Sequence, residues 1–477
     1  MSELPPTWAE VPLSAVTVDA SQRVPLADEV IRYIDIGSVN RNTKSIESPQ
    51  ELLGKDAPSR ARKQVAVGDT LVSMTRPNLK AVALVPKELD GQIASTGFDV
   101  LRPVAGVDPR WIGYLVRTEA FVEAMSDLVQ GALYPAVRSK DVRAHVVPLA
   151  PQAEQTRIAN QLDTLLTRAQ ACNDRFDAIP ALLKRFRQTV LTAASSGDLT
   201  SDWRESKPPT AGAAAKEVKH RLDTRRDRHV AKSKSKFKEP VLPDLTNWRL
   251  VVPESWSVES VSAFAECLDH VRVPVTKDKR ATAERLYPYF GANGQVDMVD
   301  DFLFDDELVM VTEDETFYGR VKPIAYRFSG RCWVNNHAHV LLAGDRVRAD
   351  FLCFSLMHYD VQPWLTGTTG RAKLTQGALN ALPLAVPPHD EMIEIVRRVN
   401  SMFALADRIE ARCTAARSQA QRLTPLVLAK AFRGELVPQD PNDEPASALL
   451  VRIDLAKDAV AAKPRKRKSI ARNQAVQ

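Results

Sequence analysis

The longest pattern in the chain is an alternation of apolar positions in steps of four and three. It runs Ile158, Leu162, Leu165, Ala169, Cys172, Phe176, Ile179, Leu183, Phe186 and Val190. An unbroken alternation of this length specifies the seam of a coiled coil and not merely one amphipathic face. The same seam returns 237 residues later, from Ile158 to Ile395 and onward through Val399, Met402, Ala406, Ile409, Cys413, Ala416, Ala420, Leu423 and Val427. Each copy ends in a related phrase, VLTAASSGDL at 190–199 and VLAKAFRGEL at 427–436. A repeat held in register without gaps fixes architecture before any single motif is weighed.

Both helices carry end signals. Pro151 and Pro387-Pro388 precede their first turns, Glu154 and Glu391 sit where the positive helix end favours a carboxylate, and Gly197 and Gly434 stand where a left-handed cap is common. Pro180 and Pro425 fall inside the helices and should bend them without breaking them, because the seam continues through both sites. Two matching seams in one chain are buried most economically against each other, the alternative being two separate helices that each pack on a neighbouring globular domain.

A β-rich segment precedes each helix. In the first, VIRYIDIG (30–37), GDTLVSM (68–74), AVALVP (81–86) and FDVLRPV (98–104) read as short strands. YPYFGANGQVD (287–297), ELVMVTED (307–314), PIAYRFSG (323–330) and AHVLLAG (338–344) do so in the second. Trp8 and Trp256, each coming after a proline, open the two segments, and helix-like stretches follow at 111–125 and 350–359. The expected fold is therefore α+β, with two mixed β-rich domains separated by a pair of long coiled-coil helices and related by a pseudo-twofold repeat. The expected boundaries are 1–150 and 246–387 for the domains, 151–198 and 388–437 for the helices, 199–245 for a charged and exposed connector, and 438–477 for a basic tail.

Composition adds little to this picture but excludes some classes. Sixty-five Lys and Arg against 59 Asp and Glu give a net charge of +6, compatible with a polyanionic partner. The five cysteines (172, 267, 332, 353 and 413) form no CxxC pair and read as reduced thiols. With neither a signal pattern in the first thirty residues nor an apolar run of membrane length, a soluble, cytoplasmic chain without a membrane partner is expected.

Enzyme motifs are scarce. The sequence has no Gly-rich phosphate loop and no Asn-Pro-Pro or Asp-Pro-Pro followed by an aromatic, as an amino-methyltransferase would carry. His337 and His339 form an HxH that would share a strand face, but no Cys or carboxylate lies at a zinc spacing, which favours a structural or base-contacting role. The acidic run 313–315 reads either as paired acids or as a polar turn after a buried strand.

The loops instead hold side chains suited to nucleic acid. Asn and Gln amides and Arg guanidinium groups match base edges, while Lys, Ser and Thr suit phosphate oxygens. The candidates in the first segment are Asn40, Arg41, Asn42, Lys44, Arg76, Asn78, Lys80, Tyr134 and Arg138. In the second they are Asn293, Gln295, Tyr318, Arg320, Asn335, Asn336, His337, Thr368, Thr369, Arg371 and Lys373. No catalytic or metal-binding residue is assigned.

The arrangement resembles the specificity subunits of type I restriction–modification enzymes. In the second half the resemblance rests on LYPYFGANGQVDMVDDFLF (286–304), CWVNNHAHVL (332–341) and KLTQGALNALPLAVPP (373–388). GDTLVSMTRPNLKAVALV (68–85), PLAPQAEQTRIANQL (148–162) and the two helix-end phrases carry it elsewhere. The family's paired prolines before the first helix are here Ala150-Pro151, and its Glu-Gln becomes Glu391-Met392 in the second copy. The resemblance implies a non-catalytic subunit that reads a split double-stranded DNA target, one domain per half-site, with the long helices paired antiparallel and setting the gap. It also implies two modification subunits carrying S-adenosylmethionine, and restriction subunits using ATP and Mg, so that this chain itself binds no cofactor. The competing readings are a DNA methyltransferase or nuclease with fused recognition domains, and a coiled-coil adaptor that binds protein.

Overall fold

The computed structural model describes residues 4–129, 135–232, 236–276, 278, 280, 286–314, 317–368 and 372–461. Its contacts divide the chain into two units, Met1–Asp177 with Thr414–Gln477, and Ala178–Cys413. Each unit therefore holds one β-rich domain, the near half of one long helix and the far half of the other.

In the first unit, strand Ala9–Pro12 pairs antiparallel with Val146–Leu149, and the one-turn helix Leu13–Val16 follows it. One four-stranded sheet runs Thr17–Asp19, Phe98–Pro103, Thr70–Ser73, Val82–Leu84. The other runs Gln50–Leu53, Val30–Ile34, Ile93–Ser95, Ala61–Gln64, with Tyr33 facing Ile93 in a parallel pairing. The helical stretch expected at 111–125 is two helices, Pro109–Leu115 and Glu119–Asp127, because the Thr118 hydroxyl caps a new start by accepting from Phe121 N–H.

The second unit repeats this plan. Ser257–Ser260 pairs with Pro383–Val386, and the one-turn helix Val261–Phe264 follows. A six-stranded sheet runs Glu266–Cys267, Ala338–Leu342, Phe304–Thr312, Ala325–Val334, Tyr287–Gly291, Gly294–Val299. Here Tyr289 faces Trp333 in a parallel pairing, matching Tyr33 and Ile93 of the first unit. Leu308 to Val311 are all buried, so this central strand is covered on both faces and loses the alternation of a half-exposed strand.

The long helices are Gln152–Ser196 and His389–Phe432, each continuous through its proline. In the first unit Ile158, Ala159 and Leu162 share a core with Leu428, Ala431 and Phe432, where Trp111 packs at 4.6 Å between ring centroids on Phe432. In the second, Val190, Leu191 and Ala194 share a core with Met392, Ile395, Val396 and Val399. The start of one helix thus lies beside the end of the other in each unit, which makes the pair antiparallel. Ion pairs Asp177–Arg417 (2.5 Å) and Arg187–Asp407 (2.6 Å) join the helices in the first and second unit respectively.

Burial along the seam is uneven. Ile158, Leu162, Ile395 and Val399 are fully buried, whereas Cys172, Phe186, Ile409 and Leu423 are exposed. Two helices alone cover only a narrow stripe, and deep burial occurs where a domain packs onto them as well.

The repeated phrases close each unit. Gly197 and Gly434 adopt φ of 84° and 75°, and an added Cβ would meet Pro253 at 2.8 Å and Pro5 at 2.4 Å. Only glycine satisfies both the conformation and the space. Beside them the indole N–H of Trp8 donates to Glu154 and that of Trp256 to Glu391, both at 2.9 Å in buried surroundings. Each helix-end phrase therefore seats against the proline-to-tryptophan opening of the domain encoded in the other half.

Two stretches differ from their expected character. The connector contains helices Ser201–Ser206 and Ala213–Lys232, and the second buries Ala214 and Val218, with Leu222 packed on the core of the second unit. These positions recur every four residues, so a narrow apolar stripe was concealed by dense surrounding charge. Within the expected tail, helix Ala446–Ala461 buries Ala446, Leu449 and Ile453 in the core of the first unit, while the basic run 463–473 lies outside the described residues. No helix among the described residues is long and apolar enough to cross a membrane.

Candidate nucleic-acid interface

Three loops converge in the first unit. After strand Val30–Ile34 the Asn40 carboxamide accepts from the N–H groups of Asn42 (2.9 Å) and Thr43 (3.2 Å), folding 40–44 into a turn that leaves Arg41 and Asn42 exposed. Lys44 closes this turn and donates from Nζ to the Lys80 carbonyl at 2.6 Å. Lys80 ends the short turn Pro77–Leu79, Arg76 begins it, and Asn78 is exposed within it. Arg76 N–H donates to the Pro135 carbonyl at 2.8 Å, drawing in the loop that carries Arg138, whose side chain is largely exposed and pairs with Asp141. Among the described residues the non-glycine positions with positive φ are Lys44 (60°), Arg76 (49°) and Lys80 (52°), all cationic and all on these loops. Such conformations are costly for bulky residues and cluster at functional sites. Tyr134 lies outside the described residues.

Four loops converge in the second unit. Arg320 donates to the Asn293 carboxamide oxygen (2.6 Å) and to the Pro323 carbonyl (3.0 Å), so it braces the 291–295 turn. Asn335 is buried and its carboxamide accepts from His337 N–H at 2.8 Å. His337 stands in the turn before strand Ala338–Leu342, its exposed ring 2.7 Å from Asp314, and Lys373 pairs with Glu313 at 2.8 Å. The expected shared strand face of His337 and His339 is therefore absent, because the turn ends between them. Gln295, Tyr318, Asn336 and Thr368 are exposed; Thr369 and Arg371 lie outside the described residues.

Beneath both clusters lies a buried ionisable residue that the loop chemistry did not single out. Asp99 faces Val72 across the sheet of the first unit, and His339 faces Val311 across that of the second. Both are fully buried at the second residue of equivalent strands. Asp99 accepts from Ser139 (2.8 Å), which opens the helix after the Arg138 loop, and from Arg143 (3.2 Å). His339 donates from Nε2 to the Leu374 carbonyl (2.7 Å), just beyond the Lys373 loop, because a carbonyl can only accept. Its Nδ1 lies 2.6 Å from Asp269, and Arg272 bridges Asp269 to Glu313. A lone ionisable residue in an otherwise apolar strand, as in FDVL and AHVL, was the available signal.

Burial opposes ionisation of Asp269, but the hydrogen bond and charge of His339 overcome it and hold the carboxyl below its usual range. Glu313 is likewise lowered against burial by Lys373 and Arg272. Cys267, Asp269 and His339 place potential ligand atoms within 4.8 Å of one another. The set does not fit a metal ion: both His339 nitrogens are engaged, Asp269 is paired, and burial pushes the Cys267 thiol up to about 11.

No family model matches the chain. The type I restriction enzyme EcoDI specificity subunit of Escherichia coli is 27% identical over 388 residues, covering 77% of this chain and 81% of the relative. The StySPI specificity subunit of Salmonella potsdam is 25% identical over 481 residues, covering 94% of this chain and 96% of the relative. A solved chain of a type I R-M system has the same fold, with a TM-score of 0.64 at 24% identity over 91% of this chain and 100% of the other. Repeated domains, paired long helices and near full-length similarity agree: in sequence the chain is similar along most of its length to specificity subunits of type I restriction enzymes, and it shares the fold of a solved chain of such a system.

Proposed function

We propose that this chain reads a bipartite double-stranded DNA target, each unit presenting its loop cluster to one half-site. The observation that carries this reading is the repeat of the loop platform: two separate cores each hold converging polar loops over an equivalent buried anchor. In this reading the chain is a non-catalytic specificity subunit, as its similarity to the EcoDI and StySPI specificity subunits supports. It binds no cofactor in this reading; S-adenosylmethionine belongs to the modification subunits, and ATP and Mg to the restriction subunits.

Exposed amides not already used inside the protein are the base-reading candidates, and Asn42 and Asn336 are two of them. Asn42→Ala and Asn336→Ala should each weaken discrimination by about 1–3 kcal/mol in one half-site only. Competition binding by the assembled complex on duplexes altered in one half at a time measures this. Equal losses on cognate and scrambled DNA would reject the assignment.

The twofold repeat also fits two modification subunits per chain, docked at equivalent helix ends. The mass of the reconstituted complex in solution should correspond to two, and a stable, fully active assembly with one would overturn that stoichiometry.

A further inference from the structure

The first unit collects more positive charge at one point than its own acids neutralise. A recess of about 180 Å³ is lined by Lys44, Arg110, Tyr114, Arg117 and Asp163, with Val82, Ala83 and Leu84 beside them. Its acid is already engaged: Asp163 accepts from Arg110 at 2.7 Å and from the Tyr114 hydroxyl, and Arg110 is also paired with Asp108 at 2.8 Å. Arg117 is different. Its Nε is buried without a hydrogen-bond partner, and its guanidinium lies 5.1 Å from the Tyr114 ring centroid.

Lys44 enters the same recess from a left-handed backbone conformation, fixed by its bond to the carbonyl of Lys80, itself left-handed. Burial, with Arg117, Lys80 and Arg41 nearby, lowers the Lys44 ammonium to about 8. Like charges assembled through strained backbone repel one another unless an anion joins them. The ligand must therefore be a compact oxyanion able to accept from an ammonium and a guanidinium together. It must also be reachable from the loops that hold Arg41, Arg76 and Lys80.

We propose that this recess receives one backbone phosphate of the DNA, held between Lys44 Nζ and the Arg117 guanidinium. The proposal rests on the DNA-reading function above and adds a sequence-independent contact that sets the register of the first domain.

Lys44→Asn removes the charge with a residue that tolerates the left-handed conformation, and Arg117→Gln removes the second cation. The full chain, assembled with its modification subunits, is titrated with cognate and scrambled duplexes over a range of salt concentrations. Each variant should reduce the slope of log affinity against log salt by about 0.9, with similar losses on both duplexes. Replacing single phosphates with uncharged methylphosphonates should reveal one position in the first half-site that weakens wild type but not Lys44→Asn. Thermal melting of the free variants reports folding, and if Arg117→Gln fails to fold, Lys44→Asn carries the test alone. An unchanged slope with cognate binding intact in wild type overturns the phosphate site and leaves DNA reading standing. Loss confined to the cognate duplex makes Lys44 a base reader and also overturns the site. A wild-type complex that prefers no duplex removes the underlying function itself.

Discussion

Exchanging residues 207–388 for the equivalent segment of another specificity subunit should replace one half of the recognised sequence and leave the other unchanged. The second unit has its own core, built from Trp256, Phe351, Leu352 and Leu384, with no member from the first. The cut after Ser206 keeps Thr200 and Arg204 with Glu391, which accepts from both and from Trp256. A donor segment must therefore bring a tryptophan at 256 and a proline at 253 to meet Gly197. Starting the graft at 246 is expected to fail more often. It would leave helix Ala213–Lys232 facing a foreign domain, stranding Val218 and the Arg225 bonds to the Ser262 carbonyl. Each large apolar side chain so exposed costs about 1.5–3 kcal/mol. Methylation mapping in cells carrying each graft is the measurement. With specific sites favoured over nonspecific DNA by roughly 10³–10⁷, a changed half-site would be unmistakable. A graft that altered both halves, or neither, would show that the units do not read independently.

The helices and the repeat were legible in the sequence because both are local. The alternation needs only neighbouring residues, and Gly197 and Gly434 mark their own ends. That each phrase seats against the other half's domain was not legible, since Trp8 and Glu154 are 146 positions apart and Trp256 and Glu391 are 135 apart. The loops were legible as polar, but composition does not say whether a polar group faces DNA or its own backbone. Asn335 and Arg320 look like base readers in sequence, yet each is committed to a neighbouring turn. Lys44, Arg76 and Lys80 are candidates by residue type like their neighbours in sequence, and their left-handed backbone conformation is visible only in the structure. The connector misled because Lys and Arg surround a stripe just one residue wide, at Ala214, Val218 and Leu222.

The buried anchors give the other large effect. His339→Leu should destabilise the second unit by about 2–3 kcal/mol, the upper part of the range for leaving a buried polar group unsatisfied, since Asp269 keeps its other partners. It strands the Leu374 carbonyl and takes His339 from Asp269, although Val340 N–H still donates to that carboxylate at 3.0 Å and Arg272 still pairs with it at 3.2 Å. Asp99→Ala in the first unit takes a partner from both Arg143 and Lys63 and should fall in the same range, because Arg143 keeps Asp19 at 2.9 Å. Acid dependence separates the pair from simple loss of packing. The folded-state Asp269 carboxyl is held below its unfolded range, so its stabilisation is present above that range and lost as pH falls from there through the lower folded-state value. Denaturant titrations from about pH 6 down to about pH 2 should therefore show wild type and His339→Leu converging at the acidic end. A gap that stayed constant would assign the loss to cavity formation. At neutral pH, with enough variant folded, discrimination should drop in the second half-site alone, because the Leu374 carbonyl tethers the loop that carries Lys373. Equal loss in both half-sites would mean that the anchor supports folding without positioning the reader.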